Sequence, residues 1–252
     1  MMKAVLLLLL SLTVCVSSDP GSSCVYPPFS WCSSVDSAVR CGVLKQCLQS
    51  NFTRSRQTAD KVQVELYYES LCPGCRLFIT GQLFPTWLML QDIMEVTLVP
   101  YGNAMETFDG KKYIYKCQHG PQECLGNMLE TCLLNMTNAA AFHIINCMES
   151  ATDVIQAAKS CVSLYSPELD FNSLMTCVNG DQGNQLMHQN ALKTRALDPP
   201  HKSVPWVVVD GVHIDDSALS AFFKLVCDHY KGSPPPACGG RQRAYNTYCH
   251  KD

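Results

Sequence analysis

The hydrophobic and polar positions of this chain change period several times. Residues 62–68 (VQVELYY) alternate, with Val62, Val64, Leu66 and Tyr68 on one face, and are rich in β-branched and aromatic types, which predicts a strand. Beyond Cys72-Pro73-Gly74-Cys75, the residues Leu77, Phe78, Leu83, Phe84, Trp87 and Leu88 recur near helical spacing, and Pro85 predicts a kink or boundary there. Residues 92–100 (DIMEVTLVP) predict a second strand. Five stretches then carry helical periodicity: 122–134, 138–149, 154–164, 168–178 and 185–197. Pro205 leads into a third strand over 204–209 (VPWVVV), Asp210-Gly211 signals a tight hairpin, and Val212-His213-Ile214 begin the return strand. One helix is expected over 216–230, with Leu219, Phe222, Phe223 and Val226 as its apolar face.

The two ends differ from this regular middle. Lys3, the apolar run 4–12 and the small-residue exit to Ser18 read as a secretory signal peptide over 1–18, too short for the roughly 20 residues of a membrane span. Residues 19–57 contain Cys24, Cys32, Cys41 and Cys47 around helically spaced Val35, Ala38, Val39, Val43 and Leu44, so a small disulfide-held helical element is expected. A catalytic segment is assigned to 58–231, and a Pro/Gly-rich tail that processing could remove to 232–252.

Composition sharpens this. The 252 residues include 16 cysteines, while only 16% are charged, and a chain of this length does not need that many staples to fold. The net charge of −3, with nineteen acidic and eleven basic side chains in 60–231, argues against a nucleic-acid partner. In a secretory compartment, Asn51 and Asn135 begin two glycosylation sequons. Setting aside Cys15 in the signal peptide, four cysteines fall in the leader, nine in the central segment and two in the tail.

A strand, a Cys-x-x-Cys opening a helix and a following strand make a βαβ unit suited to redox chemistry. The helix amino terminus offers free N–H groups and positive potential to a Cys72 thiolate, the two-residue spacing lets Cys75 attack a mixed disulfide on Cys72, and Arg76 could add positive charge. A structural disulfide or half of a zinc site are the alternatives. No second closely spaced pair completes a zinc ribbon, so no metal is assigned. If Cys72 and Cys75 form the working pair, seven central cysteines remain: Cys117, Cys124, Cys132, Cys147, Cys161, Cys177 and Cys227. The odd number leaves one thiol free, bonded to the tail, or linking two subunits in a covalent homodimer.

The order proline, strand, turn, strand, helix resembles the carboxyl-terminal half of a thioredoxin fold, in which the proline is cis and faces the Cys-x-x-Cys. That resemblance gives Pro205 a role in positioning the substrate disulfide. The expected fold is therefore α/β and thioredoxin-like, with a large, mostly helical, disulfide-rich insertion at about 102–203. Its six cysteines from Cys117 to Cys177 can pair in 15 ways. The string CQHGPQECLGNMLETC at 117–132, together with CPGC at 72–75 and PPHKSVPWVVVDG at 199–211, resembles the gamma-interferon-inducible lysosomal thiol reductase family. The leader resembles a saposin A-type module of the kind removed during maturation.

The family resemblance implies a thiol-disulfide oxidoreductase that reduces endocytosed proteins in lysosomes or late endosomes, supporting proteolysis and antigen processing. It also implies delivery by a glycan-recognising sorting receptor, with some precursor secreted. No bound cofactor is expected, only an external small thiol for turnover. Such an enzyme needs a lowered thiol pKa, since near pH 5 an ordinary cysteine is thiolate less than about one part in a thousand. Two other readings stay open: a secretory-pathway oxidase or isomerase, and a non-enzymatic disulfide-stabilised glycoprotein. His119 is a candidate for tuning the thiols; Gly120 is assigned to a turn, Glu123 and Asn127 to helix capping or surface, and His143 to structure.

Overall fold

The computed structural model describes residues 24, 26–53 and 59–239. It divides into two units, 1–48 and 49–252. In the first, α1 (Val35–Arg40) starts at a capping box in which Ser34 and Ser37 exchange side-chain and backbone hydrogen bonds. Disulfides Cys24–Cys41 and Cys32–Cys47 tie α1 and the start of α2 (Leu44–Thr53) to the preceding loop. Residues 1–18, where a signal peptide is expected, and the side chain of Asn51 lie outside the described residues.

The second unit is built on a four-stranded sheet. β1 (Val62–Tyr68) lies between β2 (Met94–Pro100), which runs parallel to it, and β5 (Trp206–Val209), which runs antiparallel; β6 (Val212–His213) completes the edge. Leu66 is in register with Leu98 on one side and Val207 on the other. The β5–β6 turn is the expected Asp210-Gly211, both residues with positive φ, and the Asp210 carboxylate accepts the Gln63 N–H at 2.8 Å. On one sheet face Leu66, Tyr68 and Val207 pack with Ile79, Phe222 and Val226; on the other, Val99, Trp206 and Val208 form a smaller cluster. Each such large apolar side chain, once buried, contributes about 1.5–3 kcal/mol.

The helix after Cys72 is continuous but not uniform. It runs as α3 (Pro73–Phe78), a π-helical stretch (Ile79–Leu83) and α4 (Phe84–Leu90). Pro85 has no N–H to continue the α ladder, and the wider turn sits immediately before it. The expected helix over 216–230 is likewise two pieces, α10 (Asp216–Leu219) and α11 (Phe222–His229), parted at Ala221, which leaves helical geometry at φ −113°, ψ 32°.

Between the halves lie α5 (Pro121–Met136), α6 (Ala141–Ser150), α7 (Val154–Tyr165), α8 (Phe171–Asn179) and α9 (Asp181–Arg195), so the insertion is mostly helical as expected. α8 begins later than the periodicity suggests because the Asp170 carboxylate caps it, accepting the N–H groups of Asn172 and Ser173. The insertion also holds an unexpected hairpin, β3 (Met105–Phe108) and β4 (Tyr113–Lys116), turning at Asp109-Gly110. The chain is thioredoxin-like in its sheet order, with this subdomain inserted after β2.

Three disulfides staple the insertion: Cys117–Cys124, Cys132–Cys177 and Cys147–Cys161. Cys227 pairs with Cys238, so the odd central cysteine bonds to the tail, and the second tail cysteine, Cys249, lies outside the described residues. The pairing also qualifies the removable tail: a cut between 232 and 237 leaves the segment around Cys238 attached through this bond. Among the described residues, no helix is long and apolar enough to cross a membrane.

Candidate redox site

β1 ends at Tyr68, and Glu69, Ser70 and Leu71 turn the chain into Cys72, the N-cap of α3, with Pro73 at the first helical position. The turn is clamped from below by α5. The Asn127 side-chain oxygen accepts the Ser70 N–H at 2.9 Å, and the Ser70 hydroxyl donates to the Glu123 carbonyl at 3.2 Å. Gly126 allows this approach, since a Cβ there would collide with the Ser70 side chain. Glu123 and Asn127 are thus buried site-building residues and not the capping or surface positions their helical spacing suggested.

Neither Cys72 nor Cys75 is in a disulfide; Cys72 is partly exposed and Cys75 is buried. The Cys72 thiol faces the Val204 carbonyl at 3.7 Å, so the chain entering Pro205 lies directly across from it, and the Val204–Pro205 bond is cis. The Cys72 thiol is lowered to about 6. The largest cause is a hydrogen bond from the Cys75 thiol; partial burial opposes it, while the N–H groups of Cys75 and Gly74 and the positive potential of His119 assist. At that value about one Cys72 in ten is thiolate near pH 5. Burial, and then the Cys72 hydrogen bond, push the Cys75 thiol strongly upward. The two sulfurs are therefore unequal: one available as a thiolate, the other a retained proton donor.

Two buried acidic clusters flank the pair. On one side, Glu69 is pushed up to about 7, chiefly by burial, against the Asn103 N–H that its Oε1 accepts at 2.7 Å. Its Oε2 lies 3.5 Å from His119 Nδ1, which also bonds to Glu123 Oε2. On the other side, Tyr68 donates to Glu130 at 2.5 Å and Glu149 faces Arg76 at 3.4 Å. Burial, reinforced by Glu130, holds Glu149 protonated. Arg76 donates to the Glu149 and Ala151 carbonyls, so its charge is directed at this second cluster and it is not among the causes that lower Cys72.

Other expected residues fall elsewhere. Gly120 has φ +86° and N-caps α5, matching its assigned turn. His143 packs between Phe84, Trp87 and Tyr165, with burial lowering it to about 4, and is structural. Asn135 is exposed near the end of α5, where its Oδ1 accepts from Gln182. Nothing in the local sequence pattern distinguishes Glu69, which the fold brings to the site.

Comparison with known proteins agrees with this geometry. Residues 63–165 match the family model described as gamma interferon inducible lysosomal thiol reductase. The chain is 53% identical to the gamma-interferon-inducible lysosomal thiol reductase of Carassius auratus over 90% of both chains. It is 45% identical to the protein of that name in Mus musculus, over 75% of this chain and 77% of the relative. Among solved structures, Chlamydia trachomatis DsbA overlaps 68% of this chain and 87% of its own at 12% identity and a TM-score of 0.49; the fold assignment rests on the strand order above and not on this overlap. The residue pattern of the site and these relatives lead to one conclusion: the chain belongs to the gamma-interferon-inducible lysosomal thiol reductase family.

Proposed function

We propose that this thiol-disulfide oxidoreductase reduces disulfide bonds of endocytosed proteins in the acidic lumen of lysosomes or late endosomes, supporting their proteolysis and antigen processing. One observation carries the reading. Among the described residues twelve cysteines are paired, and the two left open are Cys72 and Cys75, at a helix amino terminus. In the cycle, the Cys72 thiolate attacks a substrate disulfide and forms a mixed disulfide, Cys75 attacks the Cys72 sulfur, and the reduced substrate leaves. An external small thiol then reopens the Cys72–Cys75 bond; no bound cofactor takes part.

Pro205 positions the substrate in this scheme, because the chain leading into it faces the Cys72 sulfur. A groove of about 390 Å³ extends from there, lined by Gly74, Leu77, Phe78, Pro205 and Leu219. Leu77 is 73% exposed at its edge, and the substrate chain around the attacked disulfide must cross it. Leu77→Lys is therefore expected to raise KM for an unfolded disulfide-containing protein by about tenfold, from roughly 1.5 kcal/mol of lost apolar contact, while leaving a small-molecule disulfide unaffected. Equal changes on both substrates would place the defect in the dithiol and not in the groove.

The remaining assignments follow the secretory route: cleavage of residues 1–18, removal of the cysteine-rich leader during maturation, glycans on Asn51 and Asn135, and capture by a glycan-recognising sorting receptor. The function is tested by supplying reduced enzyme with an oxidised protein and a small thiol at pH 5 and counting new substrate thiols. Many turnovers per enzyme are expected. A net transfer of disulfides from enzyme to reduced substrate under the same conditions would make the chain an oxidase.

A further inference from the structure

The thiolate mechanism carries a proton deficit. Reducing a substrate disulfide to two thiols takes two electrons and two protons, whereas a Cys72 thiolate and a Cys75 thiol together supply both electrons but only one proton. We propose that Glu69 supplies the second proton, giving it up as the Cys72–Cys75 disulfide forms and regaining it from solvent through His119. This rests on the reading of Cys72 as the nucleophile.

The geometry is specific. Glu69 begins the turn before Cys72, and its carbonyl accepts the Cys72 N–H at 3.2 Å. The side chain is fully buried with one oxygen fixed: Oε1 accepts the Asn103 N–H, and a Cβ on Gly102 would run into the carboxyl group, so that glycine lets the loop close over it. Oε2 has no hydrogen-bond partner and points at His119 Nδ1, 3.5 Å away. The imidazole is held in turn by Glu123, whose Oε1 accepts the His119 backbone N–H at 3.0 Å and whose Oε2 bonds to Nδ1. The His119 side chain is 36% exposed and forms the link between the buried carboxyl and water. Among the described residues, His119 is the histidine within ion-pair distance of both Glu69 and Glu123.

Electrostatics gives the timing. Burial and the charges of Glu123 and Cys72 raise Glu69 to about 7, so it is protonated in acid while Cys72 is a thiolate. Closing the disulfide removes the thiolate charge and with it part of the hold on that proton. The balance is then Cys72–S⁻, Cys75–SH, Glu69–COOH and substrate disulfide giving the Cys72–Cys75 disulfide, Glu69–COO⁻ and two substrate thiols. The other groups around the dithiol do not substitute. Glu149 on α6 keeps its proton; Glu130 on α5 is also raised to about 7 by burial, but it is paired with Tyr68 on β1 and, among the described residues, has no histidine within ion-pair distance to link it to water; Arg76 on α3 faces Glu149, and Asn103 from the β2–β3 turn and Asn127 on α5 are amides. As solution pH rises through about 7, Glu69 loses its proton, and the supply fails.

The test is the pH profile of the full chain with two substrates: a protein disulfide, whose departing alkyl thiolate needs a proton, and an aromatic disulfide, whose acidic thiol departs without one. Glu69→Gln is expected to lower kcat on the protein disulfide at pH 5 at least about tenfold and to erase the decline near pH 7, while the aromatic disulfide is turned over as by wild type. His119→Gln, at a partly exposed position, should lower turnover of the protein disulfide more than that of the aromatic disulfide, which feels only the small rise in Cys72 from the lost His119 charge, and provides the test if Glu69→Gln does not fold. Equal losses on both substrates, or an unchanged profile, overturn the proposal while leaving the dithiol mechanism intact. If wild type turns over neither substrate, the dithiol reading itself fails.

Discussion

Replacing Cys72 by serine is expected to lower protein-disulfide reduction at pH 5 at least about a thousandfold without unfolding the chain. A serine hydroxyl does not ionise in this range, so the hydrogen bond from Cys75, the N–H groups of Cys75 and Gly74 and the His119 charge would have no anion to stabilise. The side chain lies partly exposed at the N-cap of α3, where serine is a favoured residue, which separates loss of chemistry from loss of structure. Cys75→Ser should fail differently. It leaves the attacking sulfur in place and keeps a hydroxyl donor beside it, but removes the thiol that releases the substrate, whereas Cys75→Ala also removes the hydrogen bond that does most to lower Cys72. The Cys72 alkylation midpoint of Cys75→Ala should therefore move upward from about 6, and a thiol titration of that variant checks the cause directly. Retention of full activity in Cys72→Ser contradicts the mechanism.

The second large effect concerns the insertion. Cys132–Cys177 joins α5 to α8 across 45 residues, with Cys132 fully buried and Cys177 nearly so. Opening a loop of that length releases unfolded-state entropy worth about 4 kcal/mol. The double variant Cys132→Ala/Cys177→Ala should lose about that much in denaturant unfolding, a large fraction of the roughly 5–15 kcal/mol that holds a domain together. Because α5 also carries Glu123 and Asn127, which clamp the turn before Cys72, activity should be lost at lower temperature in this variant than in wild type. A change below about 1 kcal/mol would mean that packing between α5 and α8 holds the insertion without the bond.

The parts of the fold legible in the sequence are those set by local pattern. Alternation marks 62–68, Asp210-Gly211 marks the β5–β6 turn, and the Cys-x-x-Cys at a strand-to-helix junction marks the dithiol. The β3–β4 hairpin carries one local signal, Asp109-Gly110, but neither 105–108 (METF) nor 113–116 (YIYK) alternates strictly between apolar and polar residues, so its strands do not stand out from the helical stretches that follow. What local pattern does not contain is convergence. Glu69 and His119 are 50 positions apart and meet because α5 packs under the turn after β1, an arrangement written in Ser70, Gly126 and Asn127 together and in none of them alone. Arg76 illustrates the converse. Its position beside the thiols suggested an influence on Cys72, yet the buried Glu149 and the free carbonyls at the end of α6 offer it better partners. Disulfide pairing was open for the same reason: spacing admits all 15 arrangements of the insertion cysteines, and helix packing selects one.

In this mechanism Cys72 is the sulfur that meets the substrate in acid. The most direct measurement is to mix the Cys75→Ser variant with an oxidised protein at pH 5, quench with acid and map the covalent product by mass spectrometry. A stable mixed disulfide whose single enzyme-derived sulfur is Cys72 is expected. A product linked through another cysteine, or no covalent complex at pH 5 when one forms at pH 8, would contradict the mechanism.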